Sequence, residues 1–249
     1  KQAVKGRDEA LQSGVLSRDE ALQSNPLDLL FPPVCLVCHR RISKAKDVLC
    51  PDCRDRTAVI TDDYCTKCGT PLKESFCQSC AEHDYVFSFS RSVYQYGDVI
   101  QALIHELKYQ GFNSPAKFLA EGMQSYTKDN HEYAGYDLVM SVPLHRVRKR
   151  ERGYNQSELI ARKLARSLDI PYSEPVQRKY YTQSQTLLSS EERKHNLKDA
   201  FRARKNLQGK KIILVDDVFT TGSTVNEISK TLREAGASKI AVITASRAV

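Results

Sequence analysis

The sequence predicts an α/β fold, a parallel sheet flanked by helices, preceded by a small metal-stabilised module. Three observations carry that expectation. Strand-like and helix-like segments alternate from residue 137 onward, the pattern of strands laid side by side and connected across the faces of a sheet. The run Ile212-Ile213-Leu214-Val215 is apolar on both faces, as a strand covered by helices must be, and Asp216-Asp217 follow it at once. Four Cys-x-x-Cys units crowd between Cys35 and Cys80.

With 249 residues, 41% of them hydrophobic, the chain can fill one medium core and a smaller module. The expected division is an arm over residues 1–30, a cysteine module over 31–84 and an α/β domain over 85–249. No stretch approaches the roughly 18 uninterrupted apolar residues of a membrane span, and residues 1–25 lack the apolar core of a signal peptide. The chain is therefore expected to be cytoplasmic and not membrane-spanning, with peripheral contact at the inner face of the membrane as a further placement. It begins with Lys1 rather than Met, and a trimmed start is expected. A net charge of +8 favours polyanionic partners only weakly, and its distribution says more. The segment from Arg146 to Arg152 carries five cations and one anion, and a second basic stretch spans 193–211.

The elements follow in order. Residues 7–13 and 18–24 are the same heptapeptide, Arg-Asp-Glu-Ala-Leu-Gln-Ser, at a period of eleven. With so few apolar residues this arm forms a helix only against a partner, and it is read as dispensable, a docking helix being the alternative. Asn25-Pro26 ends it, and Phe31-Pro32-Pro33 leads into the cysteines. Residues 86–96 alternate apolar and polar side chains and read as one or two strands. Val99, Leu103 and Leu107 recur at helical spacing over 98–109, with Gly111 as the stop. Ser114-Pro115 opens a second helix as cap and first-turn proline, with Phe118, Leu119 and Met123 facing inward. Residues 137–142 form a strand ending at Pro143, and 155–167 a helix with Ile160, Leu164 and Leu168 on one face. A buried strand over 211–215, a helix over 223–235 closed by Gly236 and a last strand over 239–244 complete the domain. Between Arg178 and Ala200 the chain is polar without a definite element, which makes it a candidate lid, with 180–196 as the part that closes.

The cysteines pair as Cys35/Cys38, Cys50/Cys53, Cys65/Cys68 and Cys77/Cys80. Two residues between thiolates let both sulfurs reach one tetrahedral zinc, and two such knuckles complete a four-sulfur site. Eight sulfurs make two structural zinc sites, most simply Cys35, Cys38, Cys50 and Cys53 with Cys65, Cys68, Cys77 and Cys80, although interleaved pairing stays open. Zinc is favoured over disulfides or redox use because redox Cys-x-x-Cys motifs come singly, and a reducing cytosol keeps thiols free. Metal binding is expected to supply most of the module's folding energy, on the order of 10 kcal/mol per site. His39, beside Cys38, is read as a surface residue since the cysteines already fill both sites.

Asp216 and Asp217 leave the buried strand at its carboxyl end, where open α/β sheets bind ligands. Thr220-Thr221-Gly222-Ser223-Thr224 follows, a hydroxyl-rich turn opening onto a helix with Val225, Ile228 and Leu232 inward. Backbone amides and hydroxyls at a helix start form a phosphate cradle, and Gly222 permits close approach. The two carboxylates then lie where a sugar on that phosphate presents its vicinal hydroxyls. A nucleoside-triphosphatase reading requires Gly-x-x-x-x-Gly-Lys-Ser/Thr, which is absent.

The decapeptide from Val215 to Thr224 resembles the signature by which type I phosphoribosyltransferases bind 5-phosphoribosyl 1-pyrophosphate (PRPP). That resemblance implies that Asp216 and Asp217 hold the ribose 2′ and 3′ hydroxyls, with Mg²⁺ accompanying PRPP, while Thr220, Thr221, Gly222, Ser223 and Thr224 hold the 5′-phosphate. Further segments resemble the ComF family: Val142-Pro143-Leu144-His145, the nine residues from Arg148 to Gln156, Gln185-Thr186-Leu187 and Glu192-Arg193, all behind a cysteine-rich ribbon. It implies a type I phosphoribosyltransferase-like sheet with an N-terminal double zinc ribbon, and a role in natural transformation alongside DNA-uptake proteins. It also implies that the loop after the 137–142 strand grips pyrophosphate through His145 and Arg146, Arg146 as part of a solvated basic face being the alternative.

Two functions compete. One is transfer: a base or amine attacks the anomeric carbon of PRPP, pyrophosphate departs, and positioning with charge stabilisation carries the catalysis. No acceptor pocket and no catalytic residue is identified for it. The other is DNA handling, in which the ribbons and Arg148, Lys149, Arg150, Arg152 and Tyr154 bind single-stranded DNA, with Tyr180 and Tyr181 beside Arg178 and Lys179 as further stacking surfaces. A zinc ribbon on an unrelated α/β fold is disfavoured by the phosphate turn.

Overall fold

Four parallel strands in the order β1-β6-β5-β2 build the sheet. The computed structural model describes residues 32–43, 47–61, 63–72, 75–109, 113–180 and 199–248. The repeated arm, Gly111 and residues 181–196 of the candidate lid lie outside the described residues. Within the cysteine module, α1 (Pro51–Asp55) and α2 (Gln78–Glu82) each begin beside a metal-ligand candidate. There follow β1 (Phe89–Gln95), α3 (Asp98–Tyr109), α4 (Ser114–Asp129), β2 (Leu138–Ser141), α5 (Arg146–Arg152) and α6 (Gln156–Leu168). The chain closes with β3 (Val176–Arg178), β4 (Phe201–Ala203), β5 (Lys211–Phe219), α7 (Ser223–Glu234) and β6 (Lys239–Arg247).

The continuous apolar run of β5 reflects burial on both sides. Ile213 and Val215 pack with Ala241, Ile243 and the inner faces of α3, α4 and α6, contributed by Leu103, Leu107, Leu119, Met123, Ile160 and Leu164. Ile212 and Leu214 pack with Ile240 and Val242 beneath Val225, Ile228 and Leu232 of α7. The opposed apolar layers remove both faces from water, the main favourable term in the fold.

Several expectations are corrected. The strand placed at 211–215 continues to Phe219, so Asp216 and Asp217 lie within it; β6 reaches Arg247 and pairs with it through Asp216↔Thr244 and Phe219↔Arg247. Arg247 can end a strand in the interior because its guanidinium lies 4.2 Å over the Phe219 ring and donates to the Cys68 carbonyl at 2.8 Å. Ser114 is not the cap of α4: Asn113 holds that position, without a side-chain capping bond, and Ser114 is the first residue of the helix. An antiparallel pair, β3 with β4, brackets the segment read as structureless, and Val176 and Phe201 bury in the α7-side core.

β1 lacks the expected alternation, being buried from Phe89 through Tyr94. The cysteine module covers its polar residues. Ser90 N–H donates to the Lys67 carbonyl at 2.8 Å, and Arg91 donates to the Thr66 carbonyl at 2.9 Å while pairing with Glu132 at 3.0 Å. Ile60 N–H donates to the Val93 carbonyl at 2.9 Å, Gln95 N–H to the Ala58 carbonyl at 2.8 Å, and Val59 bridges Tyr94 in antiparallel register. The outer edge of β1 is thus paired by the module. Gly69 sits so near this edge that a Cβ there would lie 2.5 Å from the Ser90 carbonyl oxygen.

Candidate functional site

The eight thiols gather into two groups, Cys35, Cys38, Cys50, Cys53 and Cys65, Cys68, Cys77, Cys80, each with all sulfurs within 4.8 Å. Interleaving, left open by spacing alone, is not what the fold adopts. Cys38 and Cys50 sulfurs are 3.6 Å apart, Cys65 and Cys80 3.6 Å, Cys68 and Cys77 3.5 Å. Four thiolates about 2.3 Å from one zinc stand about 3.8 Å from each other, so the clusters fit tetrahedral zinc without an open position. The two knuckles turn alike: His39 N–H donates to the Cys35 carbonyl and Gly69 N–H to the Cys65 carbonyl, with φ of +58° and +74°. His39 is exposed and outside the sulfur cluster, as expected.

The second candidate site lies where β5 meets α7. Gly222, at φ +72°, reverses the chain, and its carbonyl accepts from Asn226 N–H at 2.9 Å, starting the helix. A Cβ on Gly222 would fall 2.4 Å from Phe219 Cζ and 2.9 Å from Tyr85 Cε1. Thr221 and Ser223 hydroxyls share a 2.8 Å hydrogen bond. Thr220 is exposed, and Thr221, Ser223 and Thr224 are half-buried. The first-turn amides of α7 have no carbonyl ahead of them in the helix, so this rim offers donors to an anion.

The neighbouring acids differ. Asp216 accepts from the Ser157 hydroxyl at 2.8 Å and from the Asp217 amide at 3.0 Å. Burial, then the adjacent Asp217 charge, push its pKa well above the ordinary carboxylate range. Asp217 is ion-paired with Lys108, from the last turn of α3. Burial alone would raise its pKa too, but the Lys108 ammonium overrides it and holds the carboxyl below its usual value. Two adjacent carboxylates, one held by a hydroxyl and an amide and the other by an ammonium, suit hydrogen bonding to a diol. Their hard oxygens also fit a divalent cation near the sugar, and Lys108 already places a cation against one of them.

His145 caps α5, its ring nitrogen accepting from Val147 N–H at 3.3 Å. Arg146 lines a cavity of about 150 Å³ with Leu144, Asn155, Arg178 and Arg204. Asn155 caps α6, whose Ser157 holds Asp216, and Arg178 feels the Asp216 charge. The cationic cavity therefore adjoins the acid pair. Within the basic segment, Lys149 pairs with Glu158 at 2.8 Å, and Arg152 bonds Gln156 and lies 5.4 Å over the Tyr109 ring. Arg150 is exposed; Arg148 is half-buried. Tyr154 is half-buried and gives its hydroxyl to the Leu107 carbonyl, whereas Tyr109 is 60% exposed.

Lys108, Ser157 and Tyr85 are site residues that sequence reasoning missed. Lys108 directly follows Leu107 of the apolar stripe and reads as a solvated helix-end lysine; Ser157 carries no signal beyond its nearness to the α6 cap.

The family described as "Double zinc ribbon domain" matches residues 26–82, and that described as "Phosphoribosyl transferase domain" matches residues 155–248. Competence protein F of Haemophilus influenzae is 33% identical over 217 residues, covering 84% of this chain and 94% of that protein. The chain belongs to the ComF family. Within it, the DNA utilization protein YhgH of Escherichia coli (strain K12) is 33% identical over 220 residues, 86% of this chain and 96% of that one. Competence protein ComFC of Bacillus subtilis (strain 168) is 27% identical over 227 residues, 82% and 90% of the two chains. The ComF architecture, a double zinc ribbon followed by a phosphoribosyltransferase domain, accounts for both the sulfur clusters and the parallel sheet that carries the β5–α7 turn.

Proposed function

We propose that this ComF-family protein serves DNA uptake in natural transformation, binding PRPP with Mg²⁺ at the β5–α7 turn and single-stranded DNA along its basic helix. The observation that carries the reading is the placement of paired carboxylates, Asp216 and Asp217, on the strand that delivers the Gly222 turn. The 5′-phosphate would accept from the first-turn amides of α7 and from the hydroxyls of Thr220, Thr221, Ser223 and Thr224, with the helix dipole favouring its charge. Asp216 and Asp217 would take the ribose hydroxyls. Bound Mg²⁺ supplies charge neutralisation on the pyrophosphate. We assign the pyrophosphate to His145 and Arg146, the support being that Arg146 shares its cavity with Arg178 and Arg204.

For DNA, the support is the three exposed cations of α5, Arg146, Lys149 and Arg150, together with Tyr109, which is 60% exposed and carries Arg152 over its ring. The names of its relatives, competence and DNA utilization proteins, point the same way. Among the described residues no helix is long and apolar enough to cross a membrane, so work at the cytoplasmic side, with DNA-uptake proteins as partners, is the placement we propose.

Calorimetric titration of PRPP with Mg²⁺ into wild type, Asp216→Ala and Asp217→Ala tests the pocket. Binding by wild type and a loss of tenfold or more in either variant is expected, on the order of one charged hydrogen bond; unchanged affinity removes the assignment. The cationic cavity beside Asp216 favours a second reading, transfer of the phosphoribosyl group to a nucleobase or amine, for which pyrophosphate release with a panel of acceptors is the measurement.

A further inference from the structure

Lys108 belongs to none of the motifs that point to the pocket, yet its ammonium sits on Asp217. The lysine side chain is 24% exposed and that of Asp217 6%. Withdrawing a charge this far from water is costly unless it is paired, so each of the two groups depends on the other. The other charges that bear on Lys108 are Asp216, which reinforces it, and Arg152, which opposes it.

The end of α3 is held on both sides of this lysine. Tyr154 gives its hydroxyl to the carbonyl of Leu107, and the Arg152 guanidinium lies 5.4 Å over the ring of Tyr109. These contacts fix the backbone from which the Lys108 side chain leaves. With three quarters of that side chain withdrawn from water, its ammonium favours a counter-charge close to where it now lies.

That requirement conflicts with capture of a sugar diol. If Asp217 turns its oxygens to ribose hydroxyls, Lys108 loses part of its compensation in a buried setting. A sugar with a pyrophosphate on the anomeric carbon resolves the conflict, since that carbon is bonded to the one bearing the 2′-hydroxyl, and the pyrophosphate oxygens arrive next to the displaced ammonium. Ribose 5-phosphate brings a hydroxyl there instead and leaves the cation under-compensated. We propose that Lys108 is a specificity-determining residue that makes diol capture by Asp217 conditional on a pyrophosphate at the neighbouring carbon, so that the pocket accepts PRPP and rejects ribose 5-phosphate. This inference rests on the sugar-phosphate reading of the β5–α7 pocket. The lysine acts by charge accounting within the pocket: a site that leaves a buried polar group unsatisfied discriminates more strongly than one that adds a contact.

The experiment is calorimetric titration of the full chain, at fixed Mg²⁺, with PRPP and separately with ribose 5-phosphate, for wild type, Lys108→Met and Lys108→Arg. Zinc content and melting temperature report folding. Wild type is expected to prefer PRPP; Lys108→Met loses about tenfold or more in PRPP affinity while holding or gaining ribose 5-phosphate affinity, and Lys108→Arg keeps most of the preference. A parallel loss for both ligands in Lys108→Met overturns the proposal, because a purely structural ion pair would behave so. Should Lys108→Met not fold, Lys108→Gln gives the same ratio, and equal wild-type affinity for the two ligands overturns the proposal without any variant. If wild type binds neither ligand, the pocket reading itself fails, an outcome distinct from binding without discrimination.

Discussion

The Tyr85 hydroxyl donates to the carbonyl of Thr221 at 2.9 Å, joining the linker behind the second sulfur cluster to the Gly222 turn. The same oxygen lies 3.0 Å from the Ser79 hydroxyl, between Cys77 and Cys80. Asn226 completes the tie, its side chain accepting from Val86 N–H at 2.8 Å and donating to the Asp84 carbonyl at 2.9 Å. Tyr85→Phe keeps the ring but strands two polar partners, a cost of about 1–3 kcal/mol. We expect a lower melting temperature and weaker PRPP binding at unchanged zinc content; melting and calorimetry on one preparation check this.

Gly222→Ala tests the turn itself. A left-handed φ of +72° disfavours a side chain by about 1–2 kcal/mol, and the added Cβ also meets Phe219 and Tyr85. Loss of PRPP binding with a destabilisation of at least that size is the expected result in calorimetry and thermal melts. Wild-type affinity in this variant would show that the turn does not cradle the phosphate.

The two sulfur clusters should be separable. Cys50→Ser and Cys77→Ser are each expected to lower zinc from about two to about one per chain by elemental analysis. Only Cys77→Ser should also weaken PRPP binding, because Ser79 and Tyr85 connect that cluster, and not the first, to Thr221.

Reversing Arg148, Lys149 and Arg150 to Glu is expected to weaken single-stranded DNA binding. It should also reduce the slope of log affinity against log salt by about 2, three phosphate contacts at roughly 0.7 each. Fluorescence anisotropy at several salt concentrations measures both. Wild-type binding by the triple variant would make those side chains bystanders.

The acid pair predicts opposite dependences on pH. The folded pKa of Asp216 is raised, so its ionisation erodes stability as pH climbs from the ordinary carboxylate value toward the folded one. The folded pKa of Asp217 is lowered, so its contribution is complete above an unfolded value of about 3.9 and is lost as pH falls through the folded one. In thermal melts at pH 5 and pH 8, Asp216→Asn should stabilise the ligand-free protein, more at pH 8, while Asp217→Asn destabilises it at both. The opposite order would invert the assignment of the two partners.

What could be read beforehand was whatever the chain writes contiguously. The β5 run shows as a doubly covered strand because Ile212 to Val215 are all apolar, and the Gly222 turn at the start of α7 shows because its hydroxyls and glycine are consecutive. The sulfur clusters show through repeated spacing. Lys108, Ser157 and Tyr85 escaped because each reaches the pocket from a different element across a long stretch of sequence. The strand expected over residues 86–96 is present as β1, but its burial escaped for a related reason: Ser90, Arg91 and Ser92 look solvated, yet the cysteine module or a facing strand buries them, Ser92 lying 2.7 Å from the Thr244 hydroxyl. Polar residues also hid the true lengths of β5 and β6, whose last paired positions include Asp216, Thr244, Ser246 and Arg247.

The pairing of Ala58, Val59, Ile60 and Lys67 along β1 gives the cysteine module a protective duty. An outer strand with open amides and carbonyls is a template for another molecule's strand. Stripping the metals would loosen the only cover that the described residues place on that flank, and the α/β core would be left with an adhesive border. Chelation should therefore turn a monodisperse preparation into self-associating material before the core itself melts, which makes the small module a chaperone-like guard for the larger one.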